Sequence, residues 1–76
     1  MTPDPFPSEP RARVNVKPAE PYGWQWAAHH ANGSTMSQAT TEAEAIRRGL
    51  SCCYGHGHRS ARVTTPELSY VEATRA

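Results

Sequence analysis

The sequence predicts a small α+β domain, in which a three-stranded antiparallel sheet packs against one helix in the order β-β-β-α, with a further strand after the helix as an option. Three observations predict this fold. Residues 24–26 read Trp-Gln-Trp, the dipeptide Asn32-Gly33 is typical of a type I′ hairpin turn, and residues 41–44 read as a helix start. A chain of 76 residues holds one domain with a small core.

The two ends of the chain look different from its middle. Four of the seven prolines fall within the first ten residues, a composition that opposes both helix and sheet. Residues 1–11 are therefore predicted to be a flexible Pro-rich arm. Residues 12–64 are the foldable domain, and residues 65–76 have so few large apolar side chains that we expect a flexible or loosely docked tail.

The strands follow from alternation and punctuation. Val14 and Val16 alternate with polar residues, which predicts a first half-buried strand. A Pro- and Gly-containing connection leads to a second strand over residues 24–31, and the Asn-Gly turn leads to a third over residues 34–38. Both tryptophans of the second strand are expected in the core, because so small a domain has few other large apolar groups.

The helix has a clear start and stop. Thr41 and Glu44 fit a capping box, and Gly55 is a natural stop. Gly49, inside the helix, would permit close approach to the sheet at a cost of about 1 kcal/mol relative to alanine. Residues 61–64 would add the fourth strand. The predicted apolar stripe of the helix is Ala39, Ala43, Ile46, Leu50 and Cys53.

Composition excludes little. A net charge of +1 gives no strong electrostatic reason to choose nucleic acid, membrane or an acidic partner. No apolar run is long enough for a membrane span, and the Pro-rich start lacks the apolar core of a secretory signal. A cytoplasmic protein without membrane contact is therefore expected. No phosphate loop, nucleophile elbow or paired-carboxylate motif is present, which favours a non-enzyme without cofactors.

The order of these elements resembles the YegP-like small domains of unknown function, over residues 13–53. Their repeat places a Trp-X-Trp strand before an Asn-Gly turn, another strand and a helix. The Gly-aromatic pair usual before that helix is replaced here by Ala39-Thr40. The resemblance implies a fold and no catalytic residues. The residues that carry it are Trp24, Trp26, Asn32, Gly33, Ala45 and Ile46.

A second resemblance is to the arm-binding domains of tyrosine recombinases, which combine a three-stranded sheet with one helix. Those domains lay their sheet in the major groove of DNA, so the resemblance implies polar and cationic residues on the sheet face opposite the helix. The alternative is an ordinary solvated face. The residues expected on that face are Arg13, Asn15, Lys17, Gln25 and His29.

Metal binding is considered for Cys53, His56 and His58, near the end of the helix, with His29 and His30 available from the hairpin. Zinc sites usually separate paired cysteines by two to four residues, whereas Cys52 and Cys53 are adjacent and diverge by about 100° on a helix. Adjacent cysteines also make a strained disulfide, so reduced thiols are expected. The alternative is that Cys53 is a small core residue and the histidines are polar loop groups, and no metal is expected.

The function predicted from these observations is recognition. A small domain with mobile ends and an available sheet edge suits a non-enzymatic adaptor or modulator that binds another protein, with self-association through the same edge as an option. The composition would suit an accessory protein of a bacterium or phage. The alternative function is a DNA-binding module that uses the sheet face opposite the helix.

Overall fold

A computed structural model describes residues 10–73, and these form one sheet and one helix. The predicted α+β class and the order β-β-β-α-β are confirmed, and a fifth strand follows. No helix among the described residues is long and apolar enough to cross a membrane. The elements are β1 (Ala12–Pro18), β2 (Trp24–His30), β3 (Gly33–Ala39), α1 (Glu42–Gly55), β4 (Ser60–Thr64) and β5 (Ser69–Ala73).

The sheet has five strands in the order β3-β2-β1-β4-β5. The chain builds one half as a meander, crosses the sheet through α1, and then adds β4 beside β1. This crossover makes β1 and β4 parallel, while every other pair is antiparallel. The sheet is therefore wider than the predicted three strands and is mixed. Residues 69–73, taken from the sequence as part of a flexible or loosely docked tail, form the edge strand β5. Residues 1–9, most of the predicted Pro-rich arm, lie outside the described part of the chain.

The core lies between the helix and the centre of the sheet. The helix packs mainly on β1 and β2, and every second residue of the central strands is buried beneath it. Trp26 is 6% exposed, which confirms it as a core residue, whereas Trp24 is partly buried and packs against the core from its side. The buried apolar residues are Ala12, Val14, Val16, Trp26, Ala28, Ala45, Cys53, Ala61 and Val63.

The buried stripe of the helix differs from the predicted one. Ala45, Gly49 and Cys53 are buried, so Cys53 of the predicted stripe is confirmed, whereas Ala43 is exposed and Ile46 and Leu50 are only half-buried. Ala39, also placed in that stripe, belongs to β3. The face that contacts the sheet is made of small residues, two of which the prediction left out. Small residues allow the helix backbone to lie close to β1, and the larger side chains flank that contact.

The start of the helix is capped as predicted, with one difference. The Thr41 hydroxyl accepts a hydrogen bond from the Glu44 backbone N–H at 3.1 Å, which confirms Thr41 as the N-cap. The Glu44 carboxylate does not complete a reciprocal capping box. It accepts a hydrogen bond from the Thr40 hydroxyl at 2.9 Å and pairs with Arg48 one turn later at 2.7 Å.

Two glycine assignments from the sequence change. The β2–β3 hairpin turns at Ala31 and Asn32, and Gly33 is already the first residue of β3 with φ of 125°. Asn32 has no positive φ, so the predicted type I′ turn centred on Asn32-Gly33 is wrong. The helix ends at Gly55 as predicted, but the left-handed position that a helix-stopping glycine usually takes belongs to Gly57, with φ of 94°.

Candidate functional site

The sheet has one face without a helix, which we call the open face. Strand alternation sends its side chains away from α1, and the strand register aligns them in rows. This face is largely exposed. Its members are Arg13, Asn15, Lys17, Gln25, Ala27, His29, Ser34, Met36, Gln38, Ser60, Arg62, Thr64, Ser69, Val71 and Ala73.

The structure places all five sequence-predicted binding residues on the open face and adds Arg62. On β2 and β1, His29 is the register partner of Arg13. On β4, Arg62 is the parallel partner of the same Arg13. Three basic side chains therefore lie in one row across three adjacent strands. Sequence reasoning missed Arg62 because a strand over residues 61–64 carries no signal of which strand it will pair with.

Charge is segregated between the two faces of the sheet. The open face carries Arg13, Lys17 and Arg62, and none of the carboxylates among residues 10–73 lies on it. Two carboxylates lie on the helix and two in loops, and Glu72 shares the helix side of the sheet with its register partner Ala61. The Arg62 guanidinium donates to the Ser69 hydroxyl at 3.0 Å. The open face is therefore cationic although the net charge of the chain is only +1.

The open face is also free of Phe, Tyr and Trp side chains within the described residues. Both tryptophans and Tyr70 lie on the helix side, and Tyr22 is in the β1–β2 loop. What the face offers instead are guanidinium, ammonium, amide and hydroxyl groups and the single imidazole of His29. These groups suit hydrogen bonds to an anionic partner.

A second cluster lies where the β2–β3 hairpin meets the end of α1. The rings of His30 and His56 stack with centroids 3.6 Å apart and planes within 5°. Asn32 contacts both rings: its backbone N–H donates to His30 Nδ1 at 3.3 Å, and its side-chain nitrogen lies 2.9 Å from His56 Nδ1. His30 Nε2 also lies 3.0 Å from the Thr35 hydroxyl oxygen. Burial, and then the charges of the neighbouring histidines, lower the pKa of His30, so its ring is neutral at pH 7.

Cys52 completes this cluster. The possible metal-ligating atoms of His30, Cys52 and His56 all lie within 4.8 Å of one another. We call these three residues the His-His-Cys cluster. Cys52 and His56 are four residues apart at the end of the helix, a spacing that puts side chains on one face. That spacing is visible in the sequence, but its juxtaposition with His30 depends on the hairpin packing against the helix.

Of Cys53, His56 and His58, the metal ligands considered from the sequence, only His56 belongs to the His-His-Cys cluster. Cys53 is fully buried in the core, with its sulfur 4.0 Å from the Arg13 carbonyl oxygen and 3.9 Å from that of His29. Burial raises the pKa of the Cys53 thiol, which keeps it protonated. His58 accepts a hydrogen bond from the Ala31 backbone N–H at 3.0 Å and so ties the hairpin turn to the segment after the helix.

A groove of about 560 Å³ runs between α1 and β5, because the helix does not cover the outer strand. Its apolar lining comes mainly from Ile46, Leu50, Tyr54 and Tyr70. The Tyr54 hydroxyl is buried and has no hydrogen-bond partner among the described residues. Burial raises the pKa of both tyrosines, so they are neutral phenols. The groove is open to solvent, and Arg47, Ser51 and Glu72 add polar groups to its lining.

The fold and these surfaces define a small α+β domain with an open cationic sheet face. Comparison with models of known families, with curated proteins and with solved structures finds no match for this chain. The resemblance to YegP-like domains stays a prediction.

Proposed function

We propose that this chain is a non-enzymatic DNA-binding module that contacts duplex DNA through the open face. The observation that carries the proposal is charge segregation: Arg13, Lys17 and Arg62 share a face from which every described carboxylate is excluded. Arg13 and Arg62 are register partners on neighbouring strands, so the two arginines lie side by side on this face. A phosphate backbone presents anions at regular spacing, which suits cations placed in a row.

The chemistry of the face favours a duplex over a single strand. Single-stranded nucleic acids are usually bound by stacking bases on aromatic rings, and His29 is the one aromatic ring on the described open face. Asn15, Gln25 and Gln38 offer side-chain amides, which can donate hydrogen bonds to phosphate oxygens. Duplex DNA presents two strands of phosphates to a broad face of this kind.

The width of the sheet decides how it would contact the duplex. Five strands spaced at about 4.8 Å span roughly 19 Å, whereas the major groove is about 12 Å wide. The complete face is therefore too wide to enter the groove as a three-stranded sheet would, and we expect it to lie across the groove. The cations then contact phosphates, and recognition is mostly independent of sequence.

Salt dependence tests the proposal quantitatively. Neutralising about three phosphates predicts that log K falls with log salt at a slope of roughly −2.7, following about −0.9 per phosphate. We would measure binding to a fluorescent duplex by anisotropy between 20 and 200 mM salt, conditions chosen because so few contacts give weak binding at physiological salt. A single strand of the same sequence should bind less tightly.

Matched variants separate the open face from general charge. Arg13→Gln and Lys17→Gln should each weaken binding and reduce the salt slope by about one. Arg47→Gln removes the same charge from the exposed outer side of the helix and serves as the control, with binding close to wild type. Equal losses in all three variants, or a slope near zero, would contradict DNA binding through the open face.

A second candidate function, binding to another protein, is favoured by the edge strand β3. Among the described residues this strand pairs with β2 alone, and it is seven residues long. It has neither charge nor proline, the features that normally protect an edge. Met36 in its middle is 63% exposed. A partner strand, or a second copy of the chain, could extend the sheet here.

One substitution separates the two functions. Met36→Lys places a cation on the edge strand, which should oppose strand pairing and leave DNA binding equal or tighter. A tagged pull-down with nuclease treatment detects a protein partner, and fluorescence anisotropy measures binding to DNA. A nuclease-resistant partner that is lost in this variant supports the adaptor function. A partner retained in full by the variant would contradict pairing through β3.

A further inference from the structure

We propose that His30, Cys52 and His56 form a zinc site with a fourth coordination position open to solvent. Two imidazoles and one thiolate are among the ligands that zinc prefers, whereas magnesium and calcium prefer oxygen ligands. Their possible ligand atoms lie within 4.8 Å of one another. Three protein ligands with one free position are typical of zinc sites that bind water or an exchangeable ligand.

For zinc to bind, the three ligand atoms must move slightly closer to one another than they are in this structure. Zinc–nitrogen bonds of about 2.0 Å and zinc–sulfur bonds of about 2.3 Å place ligand atoms of a tetrahedral site roughly 3.3 to 3.6 Å apart. The parallel rings of His30 and His56 cannot both direct a nitrogen lone pair at one ion, so one ring must rotate. His56 is the residue free to do so, because it is exposed and lies at the C-cap of the helix.

Asn32 and Thr35 are placed to orient the two imidazoles. If His30 Nε2–H donates to the Thr35 hydroxyl, His30 Nδ1 carries the free lone pair. Nδ1 can then bind the ion by giving up the long hydrogen bond, 3.3 Å, that it accepts from the Asn32 backbone N–H. Turning the Asn32 side-chain amide by half a turn lets its oxygen accept from His56 Nδ1–H, which leaves Nε2 for the ion. Metal-bound histidines are usually held by such a hydrogen bond on the second ring nitrogen.

The zinc site is separate from the open face. His30 lies on the helix side of β2, because strand alternation puts it on the same face as Trp26 and Ala28, which are buried beneath the helix. A bound ion would join the end of the β2–β3 hairpin to the last turn of α1. The hydrogen bond from the Ala31 backbone N–H to the His58 ring already connects the hairpin with the segment after the helix. Zinc binding therefore stands or falls independently of DNA binding.

Cobalt(II) is the probe that tests the proposal, because its visible and near-ultraviolet bands report coordination geometry and a bound thiolate. We would titrate reduced, tag-free protein with Co²⁺ and then add Zn²⁺. The expected result is one ion per chain, a thiolate-to-cobalt charge-transfer band, and loss of that band when zinc displaces cobalt. Zinc should also raise the melting temperature, and a chelator should reverse the rise.

Variants assign the ligands one by one. Cys52→Ser should abolish the charge-transfer band, and His30→Asn and His56→Asn should each weaken cobalt binding at least tenfold. His29→Asn, one residue away on the open face, and Cys53→Ala, in the core, are the matched controls that should keep the band. Asn32→Ala leaves every ligand in place and should weaken binding roughly 10- to 100-fold.

The outcomes that overturn the site are distinct. Wild-type protein without a charge-transfer band, or with a band that survives Cys52→Ser, contradicts it. A band lost in Cys53→Ala but kept in Cys52→Ser would assign the thiolate to the other cysteine. Circular dichroism of each metal-free variant shows which are folded, and Asn32→Ala tests the cluster even if a ligand variant does not fold.

Discussion

Gly49 of the helix lies directly against the side chain of Val14 on the central strand. A Cβ built on Gly49 would overlap both Val14 methyl groups, and Val14 itself is fully buried, so it has no free space into which to move. The close approach expected for Gly49 from the sequence is confirmed. This one contact sets how near α1 lies to β1.

Gly49→Ala is expected to destabilise the domain. Alanine is about 1 kcal/mol better than glycine inside a helix, but overpacking a tight core costs about 1 to 3 kcal/mol, and here the clash is with a β-branched side chain on the sheet. The difference between these contributions is a net loss of up to about 2 kcal/mol in the free energy of unfolding, measured by urea titration. Gly55→Ala is the control, because a Cβ there meets nothing within 4 Å and should be neutral or slightly stabilising. A stabilised Gly49 variant would contradict the packing.

Thr41→Ala should remove the helix N-cap. The Thr41 hydroxyl accepts the Glu44 backbone N–H, and loss of such a cap typically costs about 1 kcal/mol. Ser51→Ala, an exposed serine within the same helix, is the matched control and should not reduce stability. Chemical denaturation of the two variants checks this, and equal midpoints would show that the cap contributes nothing.

The stability of the domain should fall in acid partly through Glu44. The hydrogen bond from Thr40, then that from Arg48, lowers the pKa of Glu44 in the folded chain. A carboxyl with a lowered folded pKa stabilises the fold above its unfolded pKa, and this contribution disappears as pH falls through the folded pKa. Wild type should therefore exceed Glu44→Gln in stability at pH 6 to 7, and the difference should shrink as the pH falls below about 4.5. Denaturant titrations at a series of pH values measure it.

Thr40→Val provides the second half of this test. It removes the largest contribution to the lowered pKa of Glu44 and keeps the carboxylate. Its deficit relative to wild type should likewise be present at neutral pH and diminish in acid. A deficit that is constant with pH in both variants would show that Glu44 titrates alike in the folded and unfolded chain.

Removing residues 69–76 should unfold the domain or lower its melting temperature strongly. This deletion removes β5, exposes the backbone of β4 along its outer edge, and uncovers the side of Val63 that faces Tyr70. Deletion of residues 1–9, which the composition predicts to be an arm, is the control and should leave the melting temperature unchanged. Thermal denaturation by circular dichroism compares the two truncations. An unaffected melting point after loss of β5 would show that the sheet is complete with four strands.

Local patterns predicted the local elements well. Alternation around Val14 located β1, the Trp-X-Trp segment located β2, and Thr41 fixed the start of the helix. The face of the helix could not be read as reliably, because hydrophobicity ranks Ile46 and Leu50 above Ala45 and Gly49. Packing against β1 reversed that order, since closeness of backbones mattered more there than side-chain size.

Long-range pairing explains what the sequence did not predict. The parallel pairing of β4 with β1 brings Arg62 beside Arg13, and the docking of the hairpin on the helix brings His30 beside Cys52 and His56. Neither neighbourhood leaves a periodic trace in the chain. The open face was predicted in part because its five expected members lie on two strands that are adjacent in sequence.

Trp26 gives the domain an optical signal of its own. Its indole is buried, and its Nε1–H has no hydrogen-bond partner among residues 10–73, whereas Trp24 is only partly covered. Excitation of the native chain should therefore yield emission at shorter wavelength from Trp26 than from Trp24. Unfolding would bring both rings into water and merge the two components into one red-shifted band, so that the chain reports the integrity of its core without any added dye.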